Sequence, residues 1–170
     1  MLIKANIAET SLVLDNDVLT HLRNGQPYAK QAIRECFRHL RPPALTSITV
    51  FEAFFGIENQ AALGKLPEEK YRNSVEELTK SYAILNFDRN SAVIAAYIYP
   101  RVFAHIEKLP NLSKKDRKEK LRDIWKDTLV ASTALAYGYG VATGNQKDFE
   151  LIASHLPPEY LGLRLALWKP

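Results

Sequence analysis

Three features of the sequence predict an α/β fold, with a mostly parallel central sheet flanked by helices on both faces. Short apolar runs of strand length alternate with longer stretches of helical apolar spacing along the whole chain. The first of these runs, Leu12-Val13-Leu14, is apolar at successive positions, as a strand buried on both sides must be. It ends on Asp15, with Asp17 two positions later, so carboxylates stand at the C-terminal edge of the sheet, where open α/β folds bind ligands. The 170 residues suit one domain over residues 1–170, and no repeat, low-complexity tract or linker divides them.

The elements follow in order. Residues 11–14 form the first strand, and 15–24 a turn and short helix stopped by Gly25. Pro27 suits a first helical position, and Ala29, Ala32, Ile33, Cys36, Phe37 and Leu40 recur at helical spacing, so 27–40 is an amphipathic helix ended by Pro42-Pro43. Residues 44–47 form a second strand. Most of 46–57 is helical despite its β-branched residues, and Glu52 is almost its only charge. Pro67 opens another helix, with Glu68 and Glu69 in its positive first turn and Tyr71, Val75, Leu78 and Tyr82 on its inner stripe. Residues 83–87 form a third strand, and Asp88 caps an apolar helix that kinks or breaks near Pro100 and runs on through Ile106. After a loop at 108–113, Ser113-x-x-Asp116 starts a helix that is basic up to Lys126 and then apolar to Gly138. Residues 141–143 form a fourth strand. Over 163–168, Leu163, Leu165 and Leu167 alternate with Arg164, Ala166 and Trp168, which reads as a half-exposed final strand.

Composition narrows the function. An apolar fraction of 46% and a charged fraction of 25% are those of an ordinary soluble protein. No run approaches the about 18 apolar residues of a membrane span. The N-terminus carries Lys4, Asn6 and Glu9 and has no signal-peptide core. The one cysteine, Cys36, sits on an apolar helix face and suits a reducing, cytoplasmic setting. The net charge of +4 favours an anionic partner such as RNA or DNA. The four histidines show no zinc-ligand spacing, and Gly-x-Ser-x-Gly, Walker-type and Gly-x-Gly-x-x-Gly motifs are missing, so serine nucleophiles and dinucleotides have no support.

Acids stand where acids are costly or oddly exposed. Asp15 ends a strand, Glu52 interrupts an apolar helix and Asp127 a small-residue helix, while Asp148 follows a strand end. One turn either side of Glu52 lie Ile48, Phe55 and Gly56, none of which can neutralise it. A carboxylate cluster needs a cation, and all-oxygen donors select Mg²⁺ or Mn²⁺ over zinc. Each acid alone also has a plain structural role. Asp15 and Asp17 suit helix caps, Glu52 can reach solvent, Asp127 can pair with Lys126, and Asp148 suits a turn. The basic stretch at 114–126 offers Lys115–Glu119 and Asp116–Lys120 pairs, as a solvated, self-paired helix would.

Taken together, Leu14-Asp15-Asn16-Asp17-Val18-Leu19, Ser47-Ile48-Thr49-Val50-Phe51-Glu52, Asp127-Thr128-Leu129-Val130-Ala131-Ser132-Thr133-Ala134 and Thr143-Gly144-Asn145-Gln146-Lys147-Asp148-Phe149 resemble, in order and spacing, a PIN-domain ribonuclease of the VapC-like toxin group. The resemblance covers most of the chain and implies a single PIN-like domain with its acids gathered at the C-terminal edge of a parallel sheet. It implies that Asp15, Glu52 and Asp127 are the core acids and that Asp148 joins them as catalytic and metal-binding residues for one or two Mg²⁺ or Mn²⁺. Asn145 stands where many members carry Asp, and Asn16 where a threonine is commoner. Asn16, Asp17, Thr143 and Asn145 are the supporting residues, with Asn145 offering a neutral oxygen. The implied reaction is hydrolysis of RNA by metal-activated water attacking phosphorus in line. Lys114, Lys115, Lys118 and Lys120 are candidates to hold the RNA backbone. An antitoxin partner and a homodimer are implied by the group. Two other readings stay open: a haloacid-dehalogenase-like phosphatase with Asp15 as nucleophile, and a non-catalytic PIN fold that binds RNA or protein.

Overall fold

The computed structural model describes residues 2–65, 68–110, 112–160 and 162–168. Thirteen elements follow in order: β1 (Leu2–Lys4), β2 (Leu12–Leu14), α1 (Asn16–Arg23), α2 (Pro27–Arg38), β3 (Ala44–Thr46), α3 (Ser47–Ala62), α4 (Glu68–Lys80), β4 (Ala83–Leu85), α5 (Arg89–Glu107), α6 (Lys114–Ala136), β5 (Gly140–Thr143), α7 (Gln146–Ala153) and β6 (Leu163–Leu167). The six strands form one sheet in the order β1-β6-β5-β2-β3-β4, and every pairing is parallel. The order changes direction around β2, which lies between β5 and β3, so the loops after β2 and β5 open side by side at the C-terminal edge.

The pleat sends successive side chains to opposite faces, and both faces are covered. Val13, Val141, Leu163 and Leu165 pack with Ile94, Ile98 and Val102 of α5, Ile124 and Val130 of α6 and Phe149 of α7. Leu12, Leu14, Leu45 and Ala142 pack on the other face with Val18 and Leu19 of α1 and Cys36 of α2. Burial pushes the Cys36 thiol up to about 11, so it is an inert core group, as its helix face indicated. Among the described residues no helix is long and apolar enough to cross a membrane.

The structure departs from the sequence reading in three elements. Among the described residues there are six strands where five were expected: residues 2–4 pair with β6 as an edge strand too short to stand out in the pattern. The α5 helix runs unbroken through Pro100. Pro100 and Ala96, whose carbonyl loses its partner there, are both exposed, so water can satisfy that oxygen. The final strand follows the expected alternation at Leu163, Arg164 and Leu165, which are buried, exposed and buried, and reverses it after that: Ala166 and Trp168 are buried with the α1–α2 layer, while Leu167 is exposed. A strand hydrogen-bonded between β1 and β5 has helices against part of each face, so it opens to solvent at single positions and not along one whole face. The expected helix start at Pro67 lies outside the described residues.

Local signals for the other starts operate as read. Asp88 caps α5 by accepting from Ser91 N at 2.8 Å, and Ser113 caps α6 by accepting from Asp116 N at 3.1 Å.

Candidate functional site

Strand β2 delivers Asp15 to the sheet edge, where it is also the N-cap of α1: its Oδ1 accepts from Asn16 N at 2.8 Å. Capping and site membership are one placement, because the carboxylate that satisfies the helix end also faces the loop after β5. Thr143 Oγ1, at the end of β5, donates to Asp15 Oδ2 at 2.8 Å and accepts from Asn145 N at 2.9 Å. Asp17 reaches the same loop, accepting from Gly144 N at 2.7 Å on Oδ2 and from Val18 N at 2.6 Å on Oδ1.

Glu52 arrives from the other neighbour of β2. Thr46 caps α3, accepting from Thr49 N at 3.0 Å, and its hydroxyl lies 2.9 Å from that of Thr49. Thr49 Oγ1 donates to Leu14 O at 3.1 Å, pinning the first turn of α3 to the last residue of β2. Glu52 follows one turn later with 9% of its side chain exposed. Its partner comes from α6, not from α3: Lys126 Nζ stands 2.8 Å from Glu52 Oε1. Burial pulls the Lys126 ammonium down, but its bond to Glu52 and the charges of Glu52, Asp123 and Asp127 outweigh this and leave it raised.

Asp127 and Asp148 complete the group from α6 and α7. The Asn145 amide nitrogen, as assigned, bridges them, donating to Asp127 Oδ2 and to Asp148 Oδ2 at 3.1 Å each. Asn145 therefore offers hydrogens, not an oxygen, to these two acids. Lys120 Nζ lies 2.6 Å from Asp148 Oδ1. This replaces the expected Asp116–Lys120 pair, because Asp116 is held at the helix start by Ser113 Oγ and Lys120 faces α7. Lys114, Lys115 and Lys118 are exposed on the N-terminal half of α6. Asn16 lines a cavity beside Glu52, where its amide makes no hydrogen bond to the acids among the described residues.

The electrostatics mark this cluster as a place that wants positive charge. Asp15 is raised from 3.8 to about 7, first by burial and then by the charge of Asp17, with Glu52 adding to it against the lowering bonds from Thr143 and Asn16. Asp127 is raised well above the usual carboxylate range by burial and by the charges of Asp15, Asp148 and Glu52. Burial also raises Asp17. Among the described residues, no three His, Cys, Asp or Glu side chains are arranged to hold a metal ion as they stand. Two lysine ammonium groups and an asparagine amide engage Glu52, Asp127 and Asp148. The donor set is nonetheless all carboxylate, buried and mutually repelling, which fits a hard divalent cation.

No family model and no curated protein matches the sequence. Solved structures do. The chain superposes on a chain of VapBC2 from Rickettsia felis bound to a DNA fragment from its promoter, with a TM-score of 0.61 and 17% identity, over 99% of this chain and 100% of that one. It matches DNA-bound VapBC from Salmonella typhimurium with a TM-score of 0.67 and 19% identity, over 94% and 99%. This is a PIN-like fold of the VapC kind. VapBC-1 from nontypeable Haemophilus influenzae matches with a TM-score of 0.60 and 19% identity, over 99% and 98%. At such identities the likeness is one of fold. The motifs that resemble the family fall at the C-terminal edge of that PIN-like sheet, on β2–α1, α3, α6 and β5–α7.

Sequence reasoning missed two residues of the site and mispaired a third. Lys126 was read as a partner for Asp127, but it pairs with Glu52. Thr49, one turn before Glu52, was legible only as a β-branched residue in a helix. Arg23 closes α1 and lines the cavity beside Glu52.

Proposed function

We propose that this protein is a divalent-metal-dependent ribonuclease and the toxin of a toxin–antitoxin pair. The observation that carries the reading is the convergence of Asp15, Glu52, Asp127 and Asp148 from four elements, with Asp15 raised by burial and by the charges of Asp17 and Glu52, and Asp127 by burial and by the charges of Asp15, Asp148 and Glu52. Asp15, Glu52, Asp127 and Asp148 would hold one or two Mg²⁺ or Mn²⁺. Bound there, the cation supplies an activated water and stabilises charge developing on phosphoryl oxygens. The chain's own residues do the rest. Thr143 and Asn16 N orient the Asp15 carboxylate, and Asp17 holds the Gly144 turn against it. Lys126 and Lys120 neutralise Glu52 and Asp148. Lys114, Lys115 and Lys118 lie exposed on the helix that carries Asp127 and are placed to meet an RNA backbone.

Partners follow from surface chemistry. Phe51 and Phe55, 61% and 59% exposed, stack 5.6 Å apart on either side of Glu52 along α3, an apolar patch suited to a covering antitoxin. Phe103 and Trp125, 41% and 42% exposed, both contact Tyr99 and form a second apolar set on α5 and α6, which suits a second copy of the chain.

The test is cleavage of a structured RNA with Mg²⁺, with Mn²⁺ and with EDTA, by wild type and Asp15→Asn. Metal-dependent cleavage that the variant loses supports the reading. Failure of well-folded, antitoxin-free wild type to cleave any of a broad set of RNAs argues for a fold that only binds.

A further inference from the structure

The cavity beside Glu52 is a second feature of this edge, and nothing in the reaction above uses it. It has a volume of about 170 Å³ and lies among α1, α3 and α4. Asn16, Thr20, Arg23, Glu52 and Gln60 supply its polar wall. Among the described residues Arg23 is its one cation, and the Nε of that guanidinium is buried without a hydrogen-bond partner. Glu52, the acid of the same cavity, is engaged by Lys126 instead. A cation in the last turn of α1 is favourable for the helix dipole, which explains a positive residue there. It does not explain a buried donor with no acceptor, because such groups are costly and are normally paired.

Gly56 points the same way. It sits inside α3, where a glycine costs roughly 0.5–1 kcal/mol relative to alanine. A Cβ at this position would meet nothing within 4 Å, so packing does not demand glycine. Like Arg23 it lines the cavity, and without a side chain it leaves that part of the wall low.

We propose that this cavity binds a backbone phosphate of the RNA next to the bond that is cut, with Arg23 as its ligand and Thr20, Asn16 and Gln60 as further donors. The inference rests on the nuclease reading. A guanidinium fork matches two phosphate oxygens, and a phosphate supplies the acceptor that Arg23 Nε lacks. The position beside Glu52 lets one strand carry two consecutive phosphates, one to the acids and one to Arg23. Arg23 would thereby position the scissile bond and contribute to the preference for a continuous strand over a terminal phosphate.

The experiment measures binding of a short single-stranded RNA in EDTA, so that no cleavage intervenes, across a salt series. The proteins are wild type, Arg23→Gln, Arg23→Lys, Gly56→Leu and a control, Arg34→Gln on the exposed side of α2. Melting curves confirm that each is folded. Arg23→Gln should weaken binding about 10-fold at low salt and reduce the slope of log K against log salt by about 0.7. Arg23→Lys should keep the slope and lose only a few-fold in affinity, and Arg34→Gln should match wild type. Gly56→Leu should weaken binding as much as Arg23→Gln with no change in charge. A wild-type slope in folded Arg23→Gln overturns the phosphate assignment, whether or not affinity falls, because a base contact would leave the slope alone. If that happens while wild type still cleaves RNA with Mg²⁺, the nuclease reading survives. If wild type never cleaves yet the slope falls as expected, the cavity stands as an RNA-phosphate site and the reaction is what fails.

Discussion

Asp17 Oδ2 occupies the space that a side chain on Gly144 would need. It accepts from Gly144 N at 2.7 Å, and a Cβ built on Gly144 would lie 2.6 Å from it. The contact ties the start of α1 to the turn after β5, and so holds the two sides of the acid cluster together. Gly144→Ala should therefore lower stability by about 1–3 kcal/mol and reduce cleavage at least tenfold. Asp17→Ala on the Gly144→Ala background should recover part of the stability but not the activity. Thermal melts and a cleavage assay on the single and double variants check both halves.

Asp15→Asn should abolish Mg²⁺-dependent RNA cleavage and leave the fold in place. It should also remove the rise in melting temperature that Mn²⁺ produces in wild type. A variant that still gains stability from Mn²⁺ would show that the cation binds without Asp15.

The raised acids set a pH dependence for the metal-free protein. Asp15 stands at about 7 when folded against an ordinary 3.8, so its favourable contribution is complete below about pH 4. That contribution is lost as pH rises through about 7, and Asp127 is shifted in the same direction. Urea unfolding in EDTA should show stability from these groups falling between about pH 4 and pH 7. Adding Mn²⁺ should restore more at pH 7.5 than at pH 5, because protons and the cation compete for the same oxygens.

Thr49→Val tests how Glu52 is placed. The change keeps the shape and removes the hydroxyl that donates to Leu14 O and meets Thr46. Removing that buried hydrogen bond should cost about 0.5–1.5 kcal/mol. Cleavage should fall by more than the loss of folded protein explains, since α3 is no longer pinned to β2. Activity compared at equal folded fraction decides it.

The exposed lysines of α6 act differently. Replacing Lys114, Lys115 and Lys118 together with Gln should reduce the salt slope of RNA binding by about 0.7 for each lysine that neutralises a phosphate. Stability should hardly change, since all three are exposed. An unaltered slope would return this face to a solvated role.

The sequence by itself determined the fold class and the four acids. Apolar runs such as Leu12-Val13-Leu14, caps such as Asp88 and Ser113, and stops such as Gly25 act within a few residues of themselves, and local steric and hydrogen-bonding rules suffice to read them. An acid in an apolar helix is legible in the same way, because its cost is set by its immediate neighbours. Only the tertiary structure decided which charge answers which. Lys126 and Glu52 are far apart in sequence, as are Lys120 and Asp148, and they meet because α6 crosses the sheet edge beside α3 and α7. The edge strand β1 and the burial of Ala166 and Trp168 were hidden for the same reason, since a three-residue strand and a strand's second face are specified by what packs on them. Arg23 was unremarkable in the chain and became distinctive only when folding buried its Nε beside Glu52 and gave it no acceptor.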